Sequence, residues 1–283
     1  MMLLNPKGNM NLHTHTCFCD GKDEPEEMVK KAIDLGFSVL GFSGHEYSIN
    51  DEEFCMSKEN TLRYRREVLR LKEAYRGQID IYLGVERDYL GEGDDYPYDY
   101  IIGSVHYAIA EDGTPVCVDK SEQDMVQDVE KYFGGDYRAY VESYYSLVAD
   151  VVRKTGCDIV GHFDLVTKFN EGCKYFDEEA DWYKEAALSA LAQVTAAAKE
   201  LAAAKPLAGM ESAAQKPAER KLAIEVNTGA MARGYRSKPY PADFILREIA
   251  KSGCPVILGS DCHDKEQLDF GFKELSEFLY TFA

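Results

Sequence analysis

The chain's chemistry starts from His13 and His15, a His-x-His pair placed directly behind a short apolar lead-in, with Asp20 following five residues after the second histidine. Side chains alternate along a strand, so residues two apart share a face and two imidazoles can reach one ion. Asp20, on the loop beyond, adds a hard oxygen donor. The chain has six histidines, and each follows or closes an apolar run: His45 ends VLGFSGH, His106 ends YIIGSVH, His162 ends DIVGH and His263 ends VILGSDCH. Glu86 closes IYLGVE, and Asp261 stands two residues before His263. A lone histidine behind an apolar run is usually hydrogen-bonded support. Six out of six at the same end of successive runs point instead to ligands.

The nine nitrogen and oxygen donors, His13, His15, Asp20, His45, Glu86, His106, His162, Asp261 and His263, exceed what one catalytic ion takes, and two or three ions fit better. Imidazole and carboxylate without thiolate favour Zn, Mn or Fe. Cys17, Cys19 and Cys262 lie beside ligands but are offset by one residue, and are expected to point away and pack. Glu86, alone at its strand end, is the candidate for bridging two ions. Such a cluster brings the pKa of a shared water toward about 7 and clamps phosphoryl oxygens, so the implied reaction is metal-assisted hydrolysis, most naturally of a phosphate ester. Glu86, Asp261 and Arg233 are expected to carry the catalysis. Phosphoryl oxygens not held by metal suit arginine, and the run EVNTGAMARGYR places Arg233 and Arg236 as candidate phosphate contacts. Asn227 and Arg233 are the expected pair lining the cleft. For either arginine taken alone, solvated surface charge competes with this reading.

These residues need a scaffold that brings strand ends together. Strand-like runs at 9–12, 39–43, 79–85, 100–105, 158–161, 222–226 and 255–259 alternate with helical periodicity at 24–35, 58–75, 137–154, 183–204 and 242–251. Glycine follows four of these five helices as a stop signal. Strands alternating with helices imply a parallel sheet, and seven units suit a closed (β/α) barrel, whose active face lies at the C-terminal ends of the strands. One barrel domain over 1–283 is expected, with an Ala-rich helix and polar connection inserted at about 186–221.

With 50 acidic against 32 basic residues, the net charge of −18 disfavours nucleic acid and anionic membranes, leaving a small phosphorylated substrate as the expected partner. Bound cations would reverse the sign locally. The eight cysteines show no CxxC spacing, and those at 117, 157 and 254 adjoin apolar runs, which fits reduced thiols and a cytoplasmic location. The opening residues are too few for a secretory signal, and no run reaches transmembrane length.

In order and in strand context, HTHT…D, GxE, GSVH, GHFDL, EVNTGAMARG and GSDCH resemble the PHP (polymerase and histidinol phosphatase) superfamily, specifically its histidinol-phosphatase branch, from residue 11 to about 263. The resemblance implies a distorted (β/α)7 TIM-like barrel with a trinuclear metal site. A first ion would take His13, His15, Glu86 and Asp261; a second would share Glu86 and add His106 and His162; a third would take Asp20, His45 and His263. Asp20 stands where some relatives have histidine, and Arg233 matches the substrate-phosphate arginine. The Ala-rich segment departs from the family pattern. The implied activity is hydrolysis of L-histidinol phosphate to L-histidinol and phosphate, in histidine biosynthesis. The rivals are a phosphoesterase of the same family acting on a nucleotide, an oligonucleotide end or a phosphotyrosyl protein, and a non-catalytic metal-binding protein of the same fold. Glu46 and Asp164, each near a ligand histidine, are candidates for ligand support, proton transfer or ordinary hydrogen bonding.

Overall fold

The structure, a computed structural model, describes residues 2–5, 7–203 and 222–280. In chain order it contains β1 (Met10–Asn11), α1 (Pro25–Asp34), β2 (Val39–Phe42), α2 (Lys58–Ala74), β3 (Asp80–Asp88), β4 (Tyr100–Ser104), β5 (Tyr107–Ile109), β6 (Pro115–Cys117), α3 (Glu122–Phe133), α4 (Tyr137–Thr155), β7 (Ile159–Val160), α5 (Asp181–Ala203), β8 (Ala223–Asn227), α6 (Gly229–Ala232), α7 (Asp243–Ser252), β9 (Val256–Gly259) and α8 (Phe272–Tyr280).

Seven strands form one parallel sheet in the order β1-β2-β3-β4-β7-β8-β9, which is chain order once the β5–β6 hairpin is set aside. The first and last strands approach each other through parallel bridges at Leu3↔Val256 and Thr14↔Cys262. Asn5 secures this seam, its Nδ2 donating to Leu258 O at 3.1 Å while its Oδ1 accepts from Leu258 N at 2.9 Å. The result is the nearly closed (β/α)7 barrel that the sequence rhythm implies.

Four helices are defined by local chemistry before packing. Pro25 opens α1 behind a Glu24/Glu27 capping box; Ser57, Ser121 and Asp136 cap α2, α3 and α4 through side-chain oxygens. Gly156 ends α4 in a left-handed conformation that β-carbon-bearing residues adopt at a cost. The apolar face of α4, including Tyr140, Tyr144, Val148 and Val152, is buried, and each such side chain contributes about 1.5–3 kcal/mol.

A smaller apolar cluster fills the barrel interior: Tyr100, Ile102, Ile159, Ala223 and Ile257, with Met10 and Leu12 against them. Tyr100 is its plug. Its single hydroxyl proton is shared between Leu12 O and Phe42 O, tying together the strands that lead into the first three histidines. A Cβ on Gly84 would lie 2.2 Å from Tyr100 Cζ, so glycine is required there for the ring to fit.

The sequence reading placed no element between 105 and 137, whereas the structure has the β5–β6 hairpin and α3 there. Strands of three residues leave too short a pattern to register, although Ser121 and Gly134 do bracket α3. The short α6 and terminal α8 are likewise additional. The inserted helix runs as α5 to Ala203, and the polar connection at 204–221 lies outside the described residues. Among the described residues no helix is long and apolar enough to cross a membrane.

Candidate metal centre

Parallel strands deliver their C-terminal ends to one face, and all nine donors read from the sequence meet there. Glu86, on the inward side of β3, is the hub and is buried. Its Oε2 lies 3.1 Å from His13 Nε2, 3.3 Å from His15 Nε2 and 3.1 Å from His45 Nδ1. Its Oε1 lies 2.9 Å from His162 Nε2 and 3.5 Å from His106 Nε2. Asp261, just beyond β9, places Oδ1 3.2 Å from His15 Nε2 and 3.6 Å from His13 Nε2. It does so with φ at 48°, a left-handed conformation uncommon outside glycine and tolerated best by Asp and Asn. Asp20 lies 2.9 Å from His263 Nε2, 3.7 Å from His15 Nδ1 and 3.8 Å from His45 Nε2.

These donors fit divalent cations. They form four overlapping groups with ligand atoms within 4.8 Å of one another: His15, Asp20, His45 and His263; His13, His162 and Asp261; His13, His15 and Glu86; and His45, Glu86 and His106. His15 Nε2 and Asp20 Oδ1 are buried without a hydrogen-bond partner, and a buried polar atom left so is costly unless something else satisfies it. The grouping differs from the one implied by resemblance: His106 and His162 fall into separate groups, and His15 joins the Asp20 set.

The charges point the same way. Burial opposes a charged His13, yet Glu225, Glu86 and Asp261 outweigh it and hold its pKa well above the ordinary value. Burial alone would raise Glu86, but His13, His45 and His15 keep it well below the usual carboxylate range. Burial drives His45 down to about 4, with His15 and His106 adding to the effect.

Two acids that the sequence reading missed orient the ring. Glu225 on β8 accepts from His13 Nδ1 at 2.7 Å, from His162 N at 2.9 Å and from Asn227 Nδ2 at 2.9 Å. Asp88 at the end of β3 accepts from His106 Nδ1 at 3.0 Å and from His106 N at 3.2 Å. A carboxylate that takes Nδ1–H turns the Nε2 lone pair toward the centre. The signal was available for Asp88, two residues after Glu86 and therefore on the same face. Gly259 makes room for Glu225, since a Cβ there would lie 1.8 Å from Glu225 Oε1.

Above the donors is a cavity of about 280 Å³. Asp20, His45, His106, His162, Arg233, Asp261 and His263 line one part of it; Asp51, Phe54, Cys117, Asp119, Lys120, Leu165 and Lys168 line the rest. Arg233 Nη2 lies 3.0 Å from Asp261 Oδ2, and its Nη1 donates to Asp261 O at 2.9 Å.

Several expectations need correction. Arg236 does not reach this cavity: Glu178 grips its guanidinium at 2.8 and 2.9 Å, Thr167 O accepts a third bond, and it lines a separate cavity. Lys168 is instead the buried cation that lines the metal-side cavity with Arg233 and Lys120. Asn227 is fully buried, bonded to Glu225 and to Gly229 N, and does not line the cleft. Cys17 is exposed, and Cys19 turns toward the site, its Sγ 3.6 Å from His15 Nδ1; Cys262 is buried as expected. Glu46 pairs with Arg87 at 2.6 and 3.0 Å, while Asp164 accepts from Ala242 N and faces the Arg236 cavity.

The profile of the PHP domain family matches residues 11–192, well over half of the chain. The chain belongs to the PHP domain family. The matched PHP stretch carries His13 through His162, while Glu225, Arg233, Asp261 and His263 come from the strands that complete the barrel. A Deinococcus radiodurans protein named "Probable histidinol-phosphatase" is 29% identical over 94% of this chain and 91% of its own length. The histidinol-phosphatase of Bacillus subtilis is 26% identical over 94% and 97%. Among solved structures, a Listeria monocytogenes protein superposes with a TM-score of 0.73 at 21% identity, covering 94% of this chain and 99% of that one. A Lactococcus lactis histidinol phosphate phosphatase, complexed with zinc, L-histidinol and phosphate, superposes with a TM-score of 0.63 at 18% identity, covering 96% and 94%. At these identities the structural matches establish a shared fold.

Proposed function

We propose that the chain is a cytoplasmic, metal-dependent phosphomonoesterase that hydrolyses L-histidinol phosphate to L-histidinol and phosphate in histidine biosynthesis, as a single PHP-type barrel domain with the Ala-rich insertion at about 186–221. The observation that carries this reading is the convergence of nine donors, Glu86 in contact with five of them, beneath a cavity holding Arg233. That site lies in a chain aligned over 94% of its length with histidinol-phosphatases.

Three divalent ions, Zn, Mn or Fe, would be held by His13, His15, Asp20, His45, Glu86, His106, His162, Asp261 and His263. Such ions supply Lewis acidity, acidifying water and offsetting charge on phosphoryl oxygens. The chain's own groups do the rest. Glu225 and Asp88 hold His13 and His106 in the tautomer that presents Nε2 inward. Arg233, fixed by Asp261, offers N–H groups to a phosphate from a side chain that stays charged in the site. Lys168, with Nζ donating to Asp119 O at 2.7 Å, adds positive charge to a cavity otherwise rich in carboxylates.

The test is phosphate release by metal-loaded protein from a panel of L-histidinol phosphate, nucleotides, a 3′-phosphorylated oligonucleotide and a phosphotyrosyl peptide. L-Histidinol phosphate is expected to give the highest kcat/KM. A higher value for any other ester, or no turnover at all, overturns the reading.

A further inference from the structure

We propose that Asp51 is a specificity-determining residue that receives the cationic amine of the substrate, a claim that rests on the phosphatase reading above. Asp51 lies between β2 and α2 and lines the cavity together with Phe54 of the same loop. Every cation on the cavity wall already has a carboxylate: Lys168 meets Asp119 at 3.4 Å, Lys120 meets Glu53 at 2.8 Å and Arg233 meets Asp261 at 3.0 Å. Asp51 alone of the wall acids is left over. Among the described residues its carboxylate has neither an ion pair nor a hydrogen bond, and it belongs to none of the four ligand groups.

A half-buried carboxylate without a cation is costly, and here burial, with Asp119, Asp88 and Asp20 working against His106, pushes its pKa up to about 6. An arriving ammonium removes that cost, because the charge-assisted hydrogen bond replaces water that burial has already taken away. The shape agrees with the charge. With the phosphate drawn to Arg233, an amino alcohol ester extends toward Asp51, and Phe54 and Leu165 offer apolar faces to an aromatic ring. A phosphate ester without an ammonium group gains nothing from Asp51, so the residue discriminates among phosphates without contributing to bond cleavage.

The experiment compares kcat/KM for L-histidinol phosphate and para-nitrophenyl phosphate in wild-type, Asp51→Asn and Asp51→Ala proteins, with zinc content per chain measured in each. The expected result is a fall of roughly tenfold or more in the ratio of the two constants, carried by KM for L-histidinol phosphate, with zinc content at the wild-type level. A wild-type measurement guards against misfolded variants: L-histidinol should inhibit roughly tenfold more tightly than the same imidazole alcohol lacking the amine. Turnover of L-histidinol phosphate with an unchanged ratio, or equal inhibition by the two alcohols, overturns this proposal alone. Turnover of para-nitrophenyl phosphate without turnover of L-histidinol phosphate overturns the assignment of L-histidinol phosphate as the substrate as well.

Discussion

Glu225 Oε1 lies 2.7 Å from His13 Nδ1 while its Oε2 accepts the backbone N–H of His162 at 2.9 Å, so one carboxylate fixes two imidazoles carried by different strand ends. Glutamine at 225 keeps the size but cannot accept at both oxygens, and its amide N–H opposes either His13 Nδ1–H or His162 N–H. Glu225→Gln is therefore expected to weaken ion retention roughly 10–100-fold while the barrel still folds. Competition with a chromogenic chelator measures this directly, and wild-type affinity would refute the orienting role.

Glu86 reaches five of the six histidines. Glu86→Gln leaves those rings without the negative charge at their centre. Phosphate release should fall on the order of 100-fold or more, together with metal content. Undiminished turnover would remove the mechanism.

The donor positions other than Asp20 were legible in the sequence because each closes or follows an apolar run that marks a strand, and parallel strands share an active face. His13 and Glu86 needed no tertiary knowledge beyond that rule. Glu225 did. It sits inside a buried strand, where an inward acid reads as an ordinary strand residue until its partner, His13, is known to lie opposite. Arg236 failed for the converse reason: its neighbour Arg233 faces the donor cluster, but Glu178, 58 residues away in sequence, claims the Arg236 guanidinium. Pairings of that kind leave no local pattern. Cys19 shows how far period-2 reasoning reaches, since residues 17–20 form a turn and the alternation that would aim its thiol away from His15 no longer applies.

Tyr100 and Gly84 give a stability test. Tyr100→Phe removes the donor shared by Leu12 O and Phe42 O and should cost about 1 kcal/mol. Gly84→Ala forces a Cβ into the ring position and should cost more, roughly 1–3 kcal/mol. Urea unfolding of the two variants should rank them in that order; the reverse order would mean that the ring is not the plug of the barrel.

Proton competition predicts a pH dependence. Burial opposes a charged His106, but Asp88 at its Nδ1 and the nearby Glu86 prevail and push its pKa from 6.5 up to about 10. In the metal-free protein this raised value contributes stability that is complete below 6.5 and lost as pH rises through 10. A metal ion needs the unprotonated nitrogen, so its binding releases the proton and tightens over the same interval. The melting temperature of chelator-treated protein should fall between pH 7 and 10 as zinc affinity rises. Calorimetry in buffers of different ionisation enthalpy reads the proton release, and zinc binding without it would contradict the assignment.

Arg233 and Arg236 are three residues apart and chemically identical, so their contrast isolates position. Arg233 lines the metal-side cavity and bonds Asp261, a donor of the centre itself. Arg233→Ala should lower kcat/KM for phosphate esters roughly 100-fold or more, because it deletes both the phosphate donor and the group that fixes Asp261. Arg236 instead ties Glu178 to Thr167 O beside a different cavity. Arg236→Ala leaves Glu178 partly buried without its cation, so it should cost about 1–3 kcal/mol in urea unfolding while kcat/KM stays within about threefold of wild type. Measuring both quantities on both variants separates the roles. A catalytic collapse in Arg236→Ala at unchanged stability would show that the guanidinium leaves Glu178 for the substrate, and the ion pair would then be a resting contact of the substrate-free chain.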